Sequence, residues 1–76
     1  MLASITVITS NGNTFDGNET ARNNMMAAII SADTVGQTET RWKLADNSFV
    51  TIGLAELKEA LMLSIVEVGK IVGAIT

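Results

Sequence analysis

The residues here whose types and spacing could do chemistry are acidic and amide side chains near the amino terminus. Asp16 and Glu19, in the run Asp16-Gly17-Asn18-Glu19, have the separation of a carboxylate pair suited to acid–base work or metal binding. The same spacing is that of a capping box, with Asp16 accepting from the amide three residues on and Glu19 reaching back. Capping accounts for both residues without a ligand, so the stretch predicts a helix start. Asn11, Asn13 and Asp16 have a faint likeness to a calcium loop, but Phe15 stands at a ligand position and no glycine follows where the sharp turn needs one. Ser64 and Lys70 have no pairing that would activate a nucleophile, and no glycine-rich phosphate loop is present. Asn18-Glu19-Thr20 fits a glycosylation sequon by chance, since no secretory signal accompanies it. Catalysis therefore has no candidate, and the expectation is a non-enzymatic protein with no cofactor, no metal and no small-molecule substrate.

Composition narrows the classes further. The chain has 76 residues, no cysteine and no histidine, which removes disulfides, thiolate nucleophiles, imidazole bases and the ordinary zinc sites. One small domain, residues 1–76, is expected, near the lower size limit for a self-sufficient core. Net charge is −3, and the basic residues Arg22, Arg41, Lys43, Lys58 and Lys70 are scattered, so no basic stripe is available to neutralise phosphates and no nucleic-acid partner is expected. The start, MLASITVITS, lacks a basic region ahead of its apolar residues and alternates as a strand does, so no signal peptide is read. Glu59, Glu67 and Lys70 break the apolar carboxyl-terminal third below the ~18 residues of a membrane-spanning helix, so no membrane partner is expected either.

The elements that would position these residues follow from periodicity and turn chemistry. Ile5-Thr6-Val7-Ile8-Thr9 is β-branched throughout and meets Asn11-Gly12, which predicts a tight turn with two positive-φ residues and a short return through Thr14 and Phe15. A helix follows, with Ala21, Met25, Ile29 and Ala32 on its inner face and Asp33-Thr34-Val35-Gly36 at its end. From Thr38 to Leu44 the residues alternate, placing Thr40, Trp42 and Leu44 together, which favours a core role for Trp42. Ala45-Asp46-Asn47-Ser48 is a turn and Phe49-Val50-Thr51-Ile52 the return strand. Gly53 then caps a final helix, with Glu56 at its third position and Ile52 placed to staple onto Leu57.

Both halves thus read strand, turn, strand with a phenylalanine (Phe15, Phe49), glutamate-bearing cap (Glu19, Glu56), helix. The class is α+β: a small antiparallel sheet of two hairpins with two helices packed on one face, in the order ββαββα, or βαββα if the first hairpin is too short. Expected core residues are Phe15, Met25, Ile29, Trp42, Leu44, Phe49 and Leu57.

The final helix is apolar around most of its circumference. Leu54, Leu61, Val68 and Ile75 fall at one heptad position, Leu57, Ser64 and Ile71 at its partner, and Ile65 and Val72 widen the stripe. A surface helix hides a stripe of roughly 100°, so one small sheet leaves apolar surface over. The expected interface is Leu61, Ile65, Val68, Val72 and Ile75, facing a second copy of the chain or another protein.

The stretches NTFDGNETARNNMMAAI and RWKLADNSFVTIGLAELKEAL resemble an uncharacterised domain family found in phage and prophage tail proteins, at the ends of tail-fibre or tail-assembly polypeptides. Phe15, Asp16, Glu19, Trp42, Ala45, Asp46, Asn47, Leu54, Glu56 and Leu57 occupy the places of that pattern; Gly53 departs from it, standing where a hydroxyl cap is usual. The resemblance brings no catalytic residues. It implies a virion setting, made in the bacterial cytoplasm, and a structural or adaptor role in a tail fibre or baseplate alongside copies of itself or another tail protein. The alternatives are a transient assembly chaperone for a tail fibre and a small acidic regulatory or inhibitory protein.

Overall fold

The computed structural model describes residues 5–75, and side chains up to residue 69. The order is β1 (Thr6–Ile8), β2 (Thr14–Asp16), α1 (Glu19–Val35), β3 (Glu39–Lys43), β4 (Phe49–Gly53) and α2 (Leu54–Ile75). This is the α+β ββαββα arrangement. Each hairpin forms its own two-stranded antiparallel ladder, with Val7 opposite Phe15 in the first and Trp42 opposite Val50 in the second. The Ala45 N–H donates to the Thr14 carbonyl at 3.0 Å, joining the second turn to the first hairpin.

Both turns are three-residue loops of one design. In the first, Gly12 N–H donates to Thr9 O and Thr9 N–H to Asn13 O; in the second, Asn47 N–H donates to Leu44 O and Leu44 N–H to Ser48 O. A loop of this kind needs one left-handed residue at its end. Gly12 supplies it at φ 85° and Asn47 at φ 70°. Asn11, expected at positive φ in a two-residue turn, is not left-handed, because the loop is one residue longer than that turn.

The correspondence between halves is one of register. Thr9 and Leu44, Gly12 and Asn47, and the helix starts Glu19 and Leu54 each lie 35 residues apart. On this register Phe15 matches Val50, not Phe49. Side chains in a strand alternate between faces, so a slip of one residue turns the whole set over. Phe49 accordingly points away from the core and is 56% exposed, with the Arg41 guanidinium 4.6 Å above its ring. It is not a core residue.

The core gathers Val7, Phe15, Met25, Leu44, Ile52, Leu57 and Ala60 from both hairpins and both helices. Ile29 and Trp42 are half-buried and pack against it. Of the expected core, Phe15, Met25, Leu44 and Leu57 are fully inside.

The start of α1 differs from the capping box. Asp16 remains in β2, paired with Thr6, and the N-cap is Asn18, whose Oδ1 accepts from Ala21 N–H at 2.8 Å. Glu19 is therefore the first helical residue, too early to reach back, and favours the helix through its charge at the positive end of the dipole. Gly17 sits between strand and cap, donating to Ile5 O at 2.8 Å and accepting from the Arg22 guanidinium at 2.7 Å. Gly36, left-handed, closes α1 with its own and the following N–H bonded to Asp33 O and Ala32 O. Gly53 ends β4, and the next N–H, that of Leu54, is taken by Thr38 O at 2.9 Å, so the second ladder itself satisfies the first amide of α2.

Candidate functional site

Helix α2 presents three lines of residues, and each meets a different surrounding. Leu54, Leu57, Ala60 and Ser64 are buried, with Leu61 half-buried and packed on the core. Their i, i+3, i+4 spacing makes this the inner line. Ser64, which interrupts the apolar heptad, is completely buried and donates to Ala60 O at 2.7 Å. A Cβ on Gly17 would come within 2.6 Å of the Ser64 Oγ, so the strand-to-helix corner crosses α2 at this point. A small residue on each side is what lets the two backbones approach.

The second line carries Glu56 and Glu59 to the first hairpin. One oxygen of Glu56 accepts from Thr9 Oγ1 and Asn13 Nδ2, each at 2.8 Å, and the other from Asn11 Nδ2 at 2.9 Å. Glu59 accepts from the Ser10 N–H and hydroxyl at 3.0 and 3.1 Å. Partial desolvation opposes the charge on Glu56, but the bonds from Asn13, Asn11 and Thr9 outweigh it and hold the carboxyl below its usual range. Glu56 thus acts across the fold rather than on its own helix end.

The third line faces outward. Met62 (56% exposed), Ile65 (54%) and Val66 (47%) are followed by exposed Gly69, with exposed Lys58 at the near end. Met62, Ile65 and Gly69 fall at alternating three- and four-residue steps, a heptad seam distinct from the inner one. Of the five expected interface residues, Ile65 lies on this face, while Leu61 and Val68 are half-buried. Leu61 is turned toward the core because Leu57 and Ser64, one turn to either side, are anchored there. The side chains of Val72 and Ile75 lie outside the described residues. Met62 and Val66 complete the exposed patch; their signal in the sequence was their place on the face opposite Leu57.

Elsewhere, a cleft of about 470 Å³ lies between the first turns of α1 and the ends of β2 and β3, with Trp42 in its lining. Among the described residues no cluster of three or more His, Cys, Asp or Glu side chains is placed to hold a metal ion, and no helix is long and apolar enough to cross a membrane. No buried side-chain nitrogen or oxygen among them lacks a hydrogen-bond partner.

Two hairpin–helix units sharing one core, with apolar side chains of α2 turned to solvent, define a small α+β module. The chain belongs to the family DUF4376, a domain of unknown function, whose model matches residues 2–68 and so takes in both hairpins, α1 and α2 as far as Val68. No curated protein and no solved structure matches the chain.

Proposed function

We propose that this chain is a non-enzymatic structural or adaptor module of a phage tail, at the fibre or baseplate, that docks through the outward face of α2. The observation that carries the docking is the patch formed by Met62, Ile65 and Val66, three large apolar side chains about half exposed on adjacent turns of one helix. Burying each fully against a partner removes apolar surface from water at roughly 25 cal/mol per Å². The partner is a second copy of the chain or a neighbouring tail protein. Support for the tail setting comes from the motif resemblance through Phe15, Asp16, Glu19, Trp42, Ala45, Asp46, Asn47, Leu54, Glu56 and Leu57.

Light scattering of the purified chain, alone and as Ile65→Lys, tests the docking. An assembly that the charged variant reduces to a folded monomer supports it; unchanged association of Ile65→Lys assigns the contact to another surface. Mass spectrometry of purified virions tests the setting, where stoichiometric presence is expected and absence would leave a transient assembly role.

A further inference from the structure

Among the described strands, β3 is the one with no buried residue: Glu39, Arg41 and Lys43 are exposed, and Thr40 and Trp42 half-buried. Its ladder partner is β4 alone. The Leu44 N–H bonds to Ser48 O and the Leu54 N–H to Thr38 O, which fixes the phase of that ladder. In an antiparallel pair, residues that exchange bonds alternate with residues that do not. Thr40 and Trp42 therefore bond to β4, and the N–H and C=O groups of Glu39, Arg41 and Lys43 point away from it. Trp42 and Lys43 lie on opposite faces of the strand, yet both line the cleft of about 470 Å³, so that opening runs along this outer edge. An unpaired strand edge is a template for another strand.

The charges along the edge select which strand. Set antiparallel to a second copy of itself about Arg41, β3 places Glu39 opposite the partner's Lys43, and symmetry repeats the pair on the other side. A parallel arrangement brings like charges together instead. A shifted register with Glu39 opposite the partner's Arg41 faces Lys43 with the partner's Gln37, and the Gln37 N–H is already bonded to Ala32 O at 2.9 Å. Arg41, on the two-fold axis, is the residue that would meet its own charge. Its guanidinium lies 4.6 Å over the Phe49 ring on β4, drawn away from the edge. We propose that β3 is a self-association edge, pairing antiparallel with β3 of a second copy so that the two hairpins make one four-stranded sheet. Trp42 then lies across from the partner's Thr40, and each half-buried inner face gains cover from the other. One pair of short strands is a smaller contact than the ~1,200 Å² of a standard interface, so a Kd on the order of 1 mM is expected. Its effect is greatest where copies are already held close together.

The chain has no cysteine, so a single introduced thiol reports the geometry. Across a bonded antiparallel pair the Cα atoms stand about 5.5 Å apart, within disulfide reach. Arg41→Cys, oxidised at about 1 mM chain, is expected to give a covalent dimer, and Thr51→Cys, also exposed and opposite Arg41 on β4, several-fold less. Sedimentation equilibrium of the cysteine-free chain over the same range reads the charges. Glu39→Lys and Lys43→Glu each set like charges opposite in both symmetric pairs and should raise Kd about ten-fold; combined, they exchange the signs and should restore it. Ile65→Lys should leave the disulfide and this ranking in place, so failure of docking through α2 is read apart from failure of β3 pairing. No excess of Arg41→Cys dimer over Thr51→Cys dimer overturns the proposal. So does a double charge variant that associates no better than either single one.

Discussion

The two hairpins close with the same hydrogen bonds around the same kind of loop, yet they are held in place by different means. The first has strands of three residues each, and its turn is gripped from outside by Glu56 and Glu59 across more than forty positions of sequence. The second has strands of five, and its turn is braced from within: the Asp46 carboxylate accepts from the Ser48 N–H and hydroxyl two residues on. Its outer face adds the Arg41–Phe49 stack, a diagonal pair across the ladder. A two-stranded hairpin is marginal by itself, and a shorter one has fewer ladder bonds to oppose the entropy of closing it. The lesson is that the short hairpin depends on tertiary contacts that the longer one replaces locally.

Removing the grip should therefore have the largest effect. Glu56→Ala leaves the Thr9 hydroxyl, 3% exposed, and the Asn13 amide without their charged acceptor. A cost of about 2–3 kcal/mol is expected for losing hydrogen bonds to a charged group, read as a lower urea midpoint with unchanged slope. Hydrogen exchange should quicken in β1 and β2 ahead of β3 and β4; equal quickening in both hairpins would mean the grip stabilises the domain as a whole.

Next in size is the corner of the first half, where Gly17 meets Ser64. Gly17→Ala drives a methyl against the buried Ser64 side chain, with Ser64 Oγ at 2.6 Å and its Cβ at 3.1 Å. Overpacking of this kind costs about 1–3 kcal/mol. Ser64→Gly in the same chain removes the two Ser64 atoms and leaves the Ile5 Cγ2 contact at 3.1 Å, so the double variant should lose less than the two single costs added together. Strict additivity would show that the corner does not press on α2.

Acid separates the hairpins by a smaller margin. Glu56 and Asp46 both titrate below their ordinary values, Glu56 through long-range bonds that outweigh its desolvation, Asp46 first through the Ser48 hydroxyl and then its N–H. For Glu56 the folded carboxyl is the stronger acid. Its contribution is therefore present above the ordinary value of 4.5 and is lost as pH falls through the folded pKa. The stability difference between wild type and Glu56→Gln should close over that interval. Asp46 is lowered as well, so by the same linkage its contribution is lost as pH falls through its folded pKa; being fully exposed and bonded only within its own turn, it should change the pH dependence less on Asp46→Asn than Glu56 does on Glu56→Gln.

Much of this arrangement was legible along the chain, and what was not has a physical cause in each case. Alternation from Thr38 to Leu44 placed Trp42 and Leu44 correctly because a half-buried strand records its inner face in every second residue. The same rule misplaced Phe49: matching phenylalanine to phenylalanine overrode the register that the turns impose, and in a strand one residue of error reverses the face. The helix start was misread because Asp16 and Asn18 are both good caps two residues apart, and only the pairing of Asp16 with Thr6 decides between them. Glu56 looked like part of a local cap; that its carboxylate reaches Thr9, Asn11 and Asn13 depends on where the first hairpin lands. On α2 the inner heptad was visible, but Leu61 and Ile65 are both apolar, and only the Gly17–Ser64 crossing shows which of them faces the core. The Trp42 cleft draws on three elements and left no trace in spacing.

The smallest expected effect bears most directly on the two turns, because it concerns their left-handed position, which one fills with Gly12 and the other with Asn47. Asn tolerates the left-handed region through its short polar side chain, whereas other residues with a Cβ are disfavoured there by roughly 1–2 kcal/mol. Gly12→Ala should accordingly cost about that much, with no steric contribution, since a Cβ at Gly12 meets nothing within 4 Å. Gly12→Asn should recover most of the loss. Asn47→Gly relieves a mild backbone penalty but gives the unfolded chain more freedom to lose, so a net change of only a few tenths of a kcal/mol, about the size of a cap exchange to glycine, is expected. Thermal unfolding of Gly12→Ala, Gly12→Asn and Asn47→Gly measures all three on one scale. If Asn47→Gly were as destabilising as Gly12→Ala, Asn47 would owe its place to a side-chain contact rather than to its φ of 70°, and the two turns would be alike in shape but not in cause.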